Sequence, residues 1–367
     1  MSRPAARWIG AVSLVLVLAV GAAACGGGND NGGSGGSGSK KLKIALSNSF
    51  IGNKWRIEMV NTFKAACDMP PYKDQVDCSV FSSGNDVSKQ TQQISNLISE
   101  HVDAIVIDAA SPTGLNGVVR QACQRHILVV SFDNIVTEPC ALKVNTDQVQ
   151  FGKELAQFLV DKLHGKGNVI MVTGVAGTSV DDDRNKGAMD VFKANPGIKV
   201  VGRYTGMWDS ATAQRNTAGQ LPSLPKVDGI WAQGGTDGVI KAFISAKRPV
   251  PPVAGEAENG FRKFMIGYQG TKVDGLSIGQ PPFLGVIGLE LARQILDKKR
   301  QKGNITIPFP KVTDQTVKAG ETVFQNQADS FFTDFTDSGP NATVKLCVNA
   351  ALTGKPCPGS LDVKLPG

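Results

Sequence analysis

The sequence predicts an α/β protein built as two similar Rossmann-like lobes. Short apolar runs alternate with stretches of helical period, the runs are continuously apolar, and the rhythm restarts after Asn145-Thr146-Asp147. Strands alternating with helices imply parallel sheets with helices on both faces. Strands buried on both faces read as unbroken apolar runs. The roughly 325 residues beyond residue 41 are enough for two separate cores.

Taken in order, residues 1–25 read as an export leader. Arg3 and Arg7 precede the apolar run Trp8–Val20, and small residues Gly21–Ala24 precede Cys25. The run is too short and too weakly flanked for a membrane span. A cysteine at this point resembles the bacterial lipobox, whose thiol is acylated, although Ala22 stands where leucine is commoner. A plain secretion signal or an uncleaved anchor remain alternatives. Residues 26–41 begin with a run of Gly, Ser, Asn and Asp that behaves as a flexible tether. The expectation is an extracytoplasmic domain anchored to the cell membrane by lipid on Cys25.

Strands are expected at Leu42–Leu46, Ala104–Ile107, Ile127–Phe132, Val169–Val172, Val200–Val201 and Gly229–Ala232. Between them, Trp55, Met59, Phe63 and Cys67 recur every four residues, one face of a helix. Thr91, Ile94, Leu97 and Ile98 form a second such face, and Leu155, Phe158, Leu159 and Leu163 a third.

Besides Cys25 there are six cysteines, which allow fifteen pairings. Proximity along the chain favours Cys67–Cys78, Cys123–Cys140 and Cys347–Cys357, each worth about 2–4 kcal/mol in an oxidising compartment. A metal site is not indicated, because no CxxC occurs and His101, His126 and His164 stand in no ligand spacing.

The formal charge is +7, yet the densest basic patch, Lys298-Lys299-Arg300-Gln301-Lys302, sits at an expected helix end, where cations favour the dipole. Nucleic-acid binding is therefore not expected. Gly174–Ser179 lacks the Gly-Lys-Ser/Thr of a phosphate loop, and HExxH is absent. The cleft candidates include no histidine and no free cysteine beside a base, so neither an enzyme nor a cofactor is indicated.

In parallel sheets, ligands meet the carboxyl ends of strands. The residues there are Ser47-Asn48-Ser49, Asp108, Asp133-Asn134, Thr173-Gly174, Gln233-Gly234 and Gly279-Gln280. Each type also caps helices or makes turns. As a set they favour a polar cleft.

The segments Ile44-Ala45-Leu46-Ser47-Asn48, Val102–Ile107, Ile127–Asp133, Val144–Asp147, Gly174–Ser179, Arg184-Asn185-Lys186-Gly187, Trp208-Asp209 and Ile278–Pro281 resemble the periplasmic sugar-binding proteins of the ribose-binding type. The likeness, shared with the effector domains of lac-repressor-like regulators, spans about Lys43 to Val312. It implies a type I periplasmic binding protein fold with a three-crossing hinge near Thr146, Gln280 and Phe309. The first lobe would comprise 42–146 plus 281–309, and the second 147–280 plus 310–346. Residues 347–367 form a disulfide-stapled extension, and Phe331, Phe332 and Phe335 are expected to pack on the second lobe.

Carried over, the ligand contacts fall on Asn53, Trp55 and Asp133 in the first lobe, and near Asp182, Trp208, Gly234, Glu256 and Gln280 in the second. Indoles cover the apolar faces of a sugar and carboxylates take its hydroxyls. Trp55 equally suits the helix core, and Asp181-Asp182-Asp183 equally suits a helix amino terminus. Asn134 and the Asp181–Asp183 run stand where the family usually offers arginine, with Arg56 able to supply a cation. The resulting expectation is an acidic cleft for a donor-rich ligand: a polyol, a sugar, an amino sugar or another amine. The resemblance further implies a monomer that delivers its ligand by hinge closure to the permease and ATPase of an ABC importer. A sensory receptor is the alternative partner.

Overall fold

The computed structural model describes residues 40–334, 343–344, 347–361 and 363–365. The leader with Cys25, the tether as far as Ser39, and Phe335 lie outside them. The strands of the two main sheets are β1 (Leu42–Asn48), β2 (Val76–Ser82), β3 (Ala104–Asp108), β4 (Leu128–Phe132), β5 (Leu142–Asn145), β6 (Gly167–Thr173), β7 (Ile198–Thr205), β8 (Gly229–Ala232), β9 (Val253–Glu256), β10 (Gly275–Ile278), β11 (Ile305–Thr306) and β12 (Lys311–Thr313). The helices are α1 (Lys54–Cys67), α2 (Tyr72–Gln75), α3 (Val87–Ser99), α4 (Asn116–Gln124), α5 (Gln148–Lys162), α6 (Ser179–Ala194), α7 (Ser210–Gln220), α8 (Thr236–Ser245), α9 (Asn259–Ile266), α10 (Leu284–Leu296) and α11 (Val348–Thr353).

One sheet has the order β11-β5-β4-β3-β1-β2 and the other β12-β10-β9-β8-β6-β7, the same winding twice. All pairings are parallel except that of β12, which runs against β10. Alternate side chains of each apolar run feed opposite faces, which is why the runs show no polar alternation. On β4, Leu128, Val130 and Phe132 enter one core while Val129 enters the other. On β6, Ile170 and Val172 face one core, Val169 and Met171 the second. The expected stripe Trp55, Met59, Phe63 and Cys67 lies along α1 against the first sheet.

Many helices start directly beyond strands because an Asn, Asp or Thr caps them. Asn53, Asp86, Asp147, Thr178 and Asp209 each accept a backbone N–H from the first turn of the following helix. The chain passes between sheets after β5, after β10 and between β11 and β12. The three disulfides join the cysteines that are neighbours in sequence.

One expectation about the carboxyl-terminal region needs correction. Phe332 belongs to the core beneath the first sheet, as do Ala350, Leu361 and Val363 of the stapled tail. Asn61 of α1 donates to Ala351 O at 2.8 Å, and Leu361 N donates to Pro70 O at 2.8 Å. The tail packs on the first lobe because α1 leaves an apolar flank there that small alanines can approach closely.

Candidate functional site

The strand order reverses between β1 and β3 and again between β6 and β8, the crevices where such sheets bind ligands. Loops from both crevices meet in one chamber enclosing about 20 Å³, room for about one water molecule. The first lobe contributes Asn53, Trp55, Arg56 and Asp133; the second contributes Val180, Arg184, Trp208 and Glu256. Gln280, at the second hinge crossing, and Phe332 complete the wall. The lobes also touch beside it: Val180 N donates to Asn134 Oδ1 at 3.1 Å and Ile135 N to Ser179 Oγ at 3.0 Å.

A line of alternating partners crosses the chamber. Arg56 pairs with Asp108 through Nη1 and with Asp133 through Nη2, the latter at 2.7 Å. Asp133 Oδ1 accepts from Gln280 Nε2. Gln280 Oε1 in turn accepts from Gln148 Nε2 at 2.6 Å and from Arg184 Nη2 at 2.8 Å. Arg184 closes the line on Glu256 at 3.1 Å, while its Nε donates to Gln148 Oε1 at 2.8 Å and its Nη1 to Gln233 O at 3.1 Å. The Phe151 ring lies 3.9 Å under its guanidinium. Burial pulls Arg56 below the usual arginine value, opposed by Asp133. Burial likewise lifts Glu256, opposed by Arg184.

Both indole N–H groups on the wall are committed, Trp55 Nε1 to Gln280 O at 2.7 Å and Trp208 Nε1 to Gln233 Oε1 at 3.0 Å. Their ring surfaces are what the chamber can use. Trp208 has φ 53°, a conformation that bulky residues rarely adopt. Glycines hold it there. A Cβ on Gly174 would lie 2.1 Å from the indole, and one on Gly234, whose φ is 150°, would lie 2.9 Å from it.

Seven residues anticipated from the sequence therefore line one chamber: Asn53, Trp55, Arg56, Asp133, Trp208, Glu256 and Gln280. Trp55 serves both readings left open for it, since it also packs into the first-lobe core. Asn134 sits behind the wall, donating to Asp133 Oδ2 at 3.1 Å. Gly234 backs Trp208 without forming wall. Asp182 is exposed on the first turn of α6 and stays outside; its neighbour Asp181 turns inward to accept from Gly174 N at 2.6 Å and Gln233 Nε2 at 2.8 Å.

Arg184, Val180 and Phe332 were not anticipated on the wall. Arg184 is four residues beyond Val180, so the helical turn puts both on the face that meets the chamber, which Asp182 faces away from. Its presence overturns the expectation of an acidic cleft: two wall guanidiniums meet two wall carboxylates. The run Gly275-Leu276-Ser277-Ile278-Gly279 has Gly-x-Ser-x-Gly spacing, but Ser277 is buried within β10 and accepts from Arg262 Nε at 2.9 Å. It is a core hydroxyl, not an exposed nucleophile.

The model of the periplasmic binding protein domain matches residues 44–300. The xylitol-binding protein of Mycolicibacterium smegmatis is 32% identical over 178 residues, which are 47% of this chain and 51% of that protein. The ribose import binding protein RbsB of Bacillus subtilis is 23% identical over 275 residues, 74% of this chain and 87% of that one. Among solved structures, an ABC transporter solute binding protein from Thermobispora bispora is 32% identical with a TM-score of 0.68, covering 74% of this chain and 84% of its own. With the family model spanning well over half of the sequence and the doubly repeated winding matching its fold, the chain belongs to the periplasmic binding protein domain family.

Proposed function

We propose that this chain is an extracytoplasmic binding protein, lipid-anchored at Cys25 and monomeric, that delivers a small neutral sugar or polyol to the permease of an ABC importer. The observation that carries the reading is the line from Asp108 through Arg56, Asp133, Gln280 and Arg184 to Glu256, which joins both lobes through one wall. A carboxylate accepts a hydroxyl proton while a guanidinium donates to the hydroxyl oxygen, so each pair suits adjacent hydroxyls. Because the wall charges pair off, an amine finds no unpartnered carboxylate there. This favours a neutral ligand. The indole surfaces suit its C–H faces.

The chamber is too small to admit such a ligand until the lobes part. On reclosure the ligand takes contacts from both sides and shifts the hinge equilibrium by its differential affinity. The names of the xylitol- and ribose-binding relatives support this ligand class.

The test is a thermal-shift panel of xylitol, D-ribose, D-allose and other pentoses, hexoses and polyols. A ligand at a hundredfold excess over its dissociation constant stabilises the fold by about 2.7 kcal/mol. Asp133→Ala removes a charge-assisted bond of about 1.5–3 kcal/mol, weakening the best ligand by roughly one to two decades. A panel in which nothing stabilises the protein would overturn the proposal, and unchanged affinity in the alanine variant would remove Asp133 from the site.

A further inference from the structure

Ahead of the stapled tail that rests on the first lobe, residues 329–334 lie on the second lobe and reach into the first through Phe332. On the second-lobe side they are held firmly. Asn259 N donates to Phe331 O at 2.8 Å, Gly260 N to Asp329 O at 2.7 Å and Thr333 N to Ala257 O at 3.1 Å. Arg262 grips Asp334 with two bonds of 2.9 Å. Between these anchors the Phe332 ring enters the core of the first lobe and lines the chamber, while its N–H donates to Glu58 Oε1 of α1 at 3.2 Å. Beside it, Phe331 packs on Ala351 of the tail, which is itself held to α1 through Asn61.

A backbone fixed to one lobe with its side chain buried in the other is a contact that hinge opening must break. We propose that Phe332 is a closing residue: its ring is a chamber wall and a clasp between the lobes, so that it biases the hinge toward closure before any ligand is bound. This rests on the hinged reading of the two lobes. The clasp lies beyond the three crossings and is set by chain that follows residue 300, where the family match ends. Ring burial in the first-lobe core holds only while the lobes are together. A side chain of different size there changes both the chamber and the opening equilibrium.

The test needs no ligand, so it stands apart from the search for one. Hydrogen exchange of the full chain without added sugar is followed at the amides of Ile135 and Val180, whose acceptors lie on the opposite lobe. The strands β3 and β8 serve as references within each lobe. Phe332→Ala should quicken exchange at Ile135 and Val180 about tenfold or more, since burying a phenylalanine ring is worth at least a decade in an equilibrium. The reference amides should keep their rates. Phe332→Leu, which retains an apolar body, should show a smaller acceleration at the same two amides and keeps the test open should the alanine variant fail to fold. Unchanged exchange at both amides overturns the proposal. So does an equal acceleration in β3, which would make the ring a core residue of the first lobe and nothing more.

Discussion

Replacing Arg184 by methionine tests the line of partners where it is most heavily committed. Arg184 is 2% exposed, and methionine keeps much of its length without a donor. The change removes bonds to Gln148, Gln233, Glu256 and Gln280. Gln280 Oε1 still receives Gln148 Nε2, but Glu256 loses its counter-ion in a buried site. Removing one partner of a buried pair costs about 3–5 kcal/mol, mostly through the charge left behind. A second change, Glu256→Gln, removes that charge, so Arg184→Met/Glu256→Gln should be more stable than Arg184→Met by about 1–3 kcal/mol. Glu256 is already lifted by burial, and without Arg184 it takes a proton more readily. The penalty of the single variant should therefore be smaller at pH 5 than at pH 8. Urea unfolding followed by tryptophan fluorescence reads all three proteins. A double variant no more stable than the single, or a penalty independent of pH, refutes the reasoning.

Gly174→Ala should push the Trp208 indole off the chamber wall and off Gln233 Oε1, weakening ligand binding and costing about 1–3 kcal/mol of stability; unaltered affinity would show that the indole is not needed where it stands. Glu258 is buried, accepts from Thr236 N at 2.8 Å, and is pushed up to about 8 by burial and then by Asp237 and Glu256. Its proton is kept by the folded chain at pH values where the unfolded chain has lost it. That contribution to stability is full below the ordinary glutamate value and is lost as pH rises toward 8, with Glu58 and Glu256 shifted in the same direction. Stability should fall between pH 5 and 8, and Glu258→Gln should flatten the slope by at most about 1.4 kcal/mol per pH unit. An identical slope in the variant would reject the assignment to Glu258.

What could be read from the sequence was the part that local rules dictate. The runs at β1, β3, β4, β6 and β8 are buried, and their shortness favours strand over helix. β2 escaped, because Val76–Ser82 is a half-exposed edge strand whose polar residues break the run. Asp133 and Gln280, which stand just beyond strands, were legible as strand-end polar residues, whereas Glu256 at the end of β9 was reached only through the family resemblance. Arg184 was not, since its role depends on which face of α6 turns inward, and the acidic triplet before it drew attention to Asp182, which points to solvent. Phe332 was illegible for a different cause. Its position depends on how the chain after β12 crosses back over the molecule, and no periodicity encodes that.

The placement of the disulfides has a consequence for chemistry outside the ligand site. Cys67–Cys78 and Cys123–Cys140 each tie together parts of the first lobe, and Cys347–Cys357 closes the tail that rests upon it. Among the described residues the second lobe carries none, and no sulfur bridge spans the hinge. A reductant would thus loosen one half selectively, leaving Trp208, Glu256 and Arg184 on an intact scaffold. Motion between the halves stays free of disulfide restraint in oxidising surroundings, so the thiol state governs endurance, while the hydrogen bonds at Gln280, Asn134 and Ser179 and the Phe332 ring govern movement.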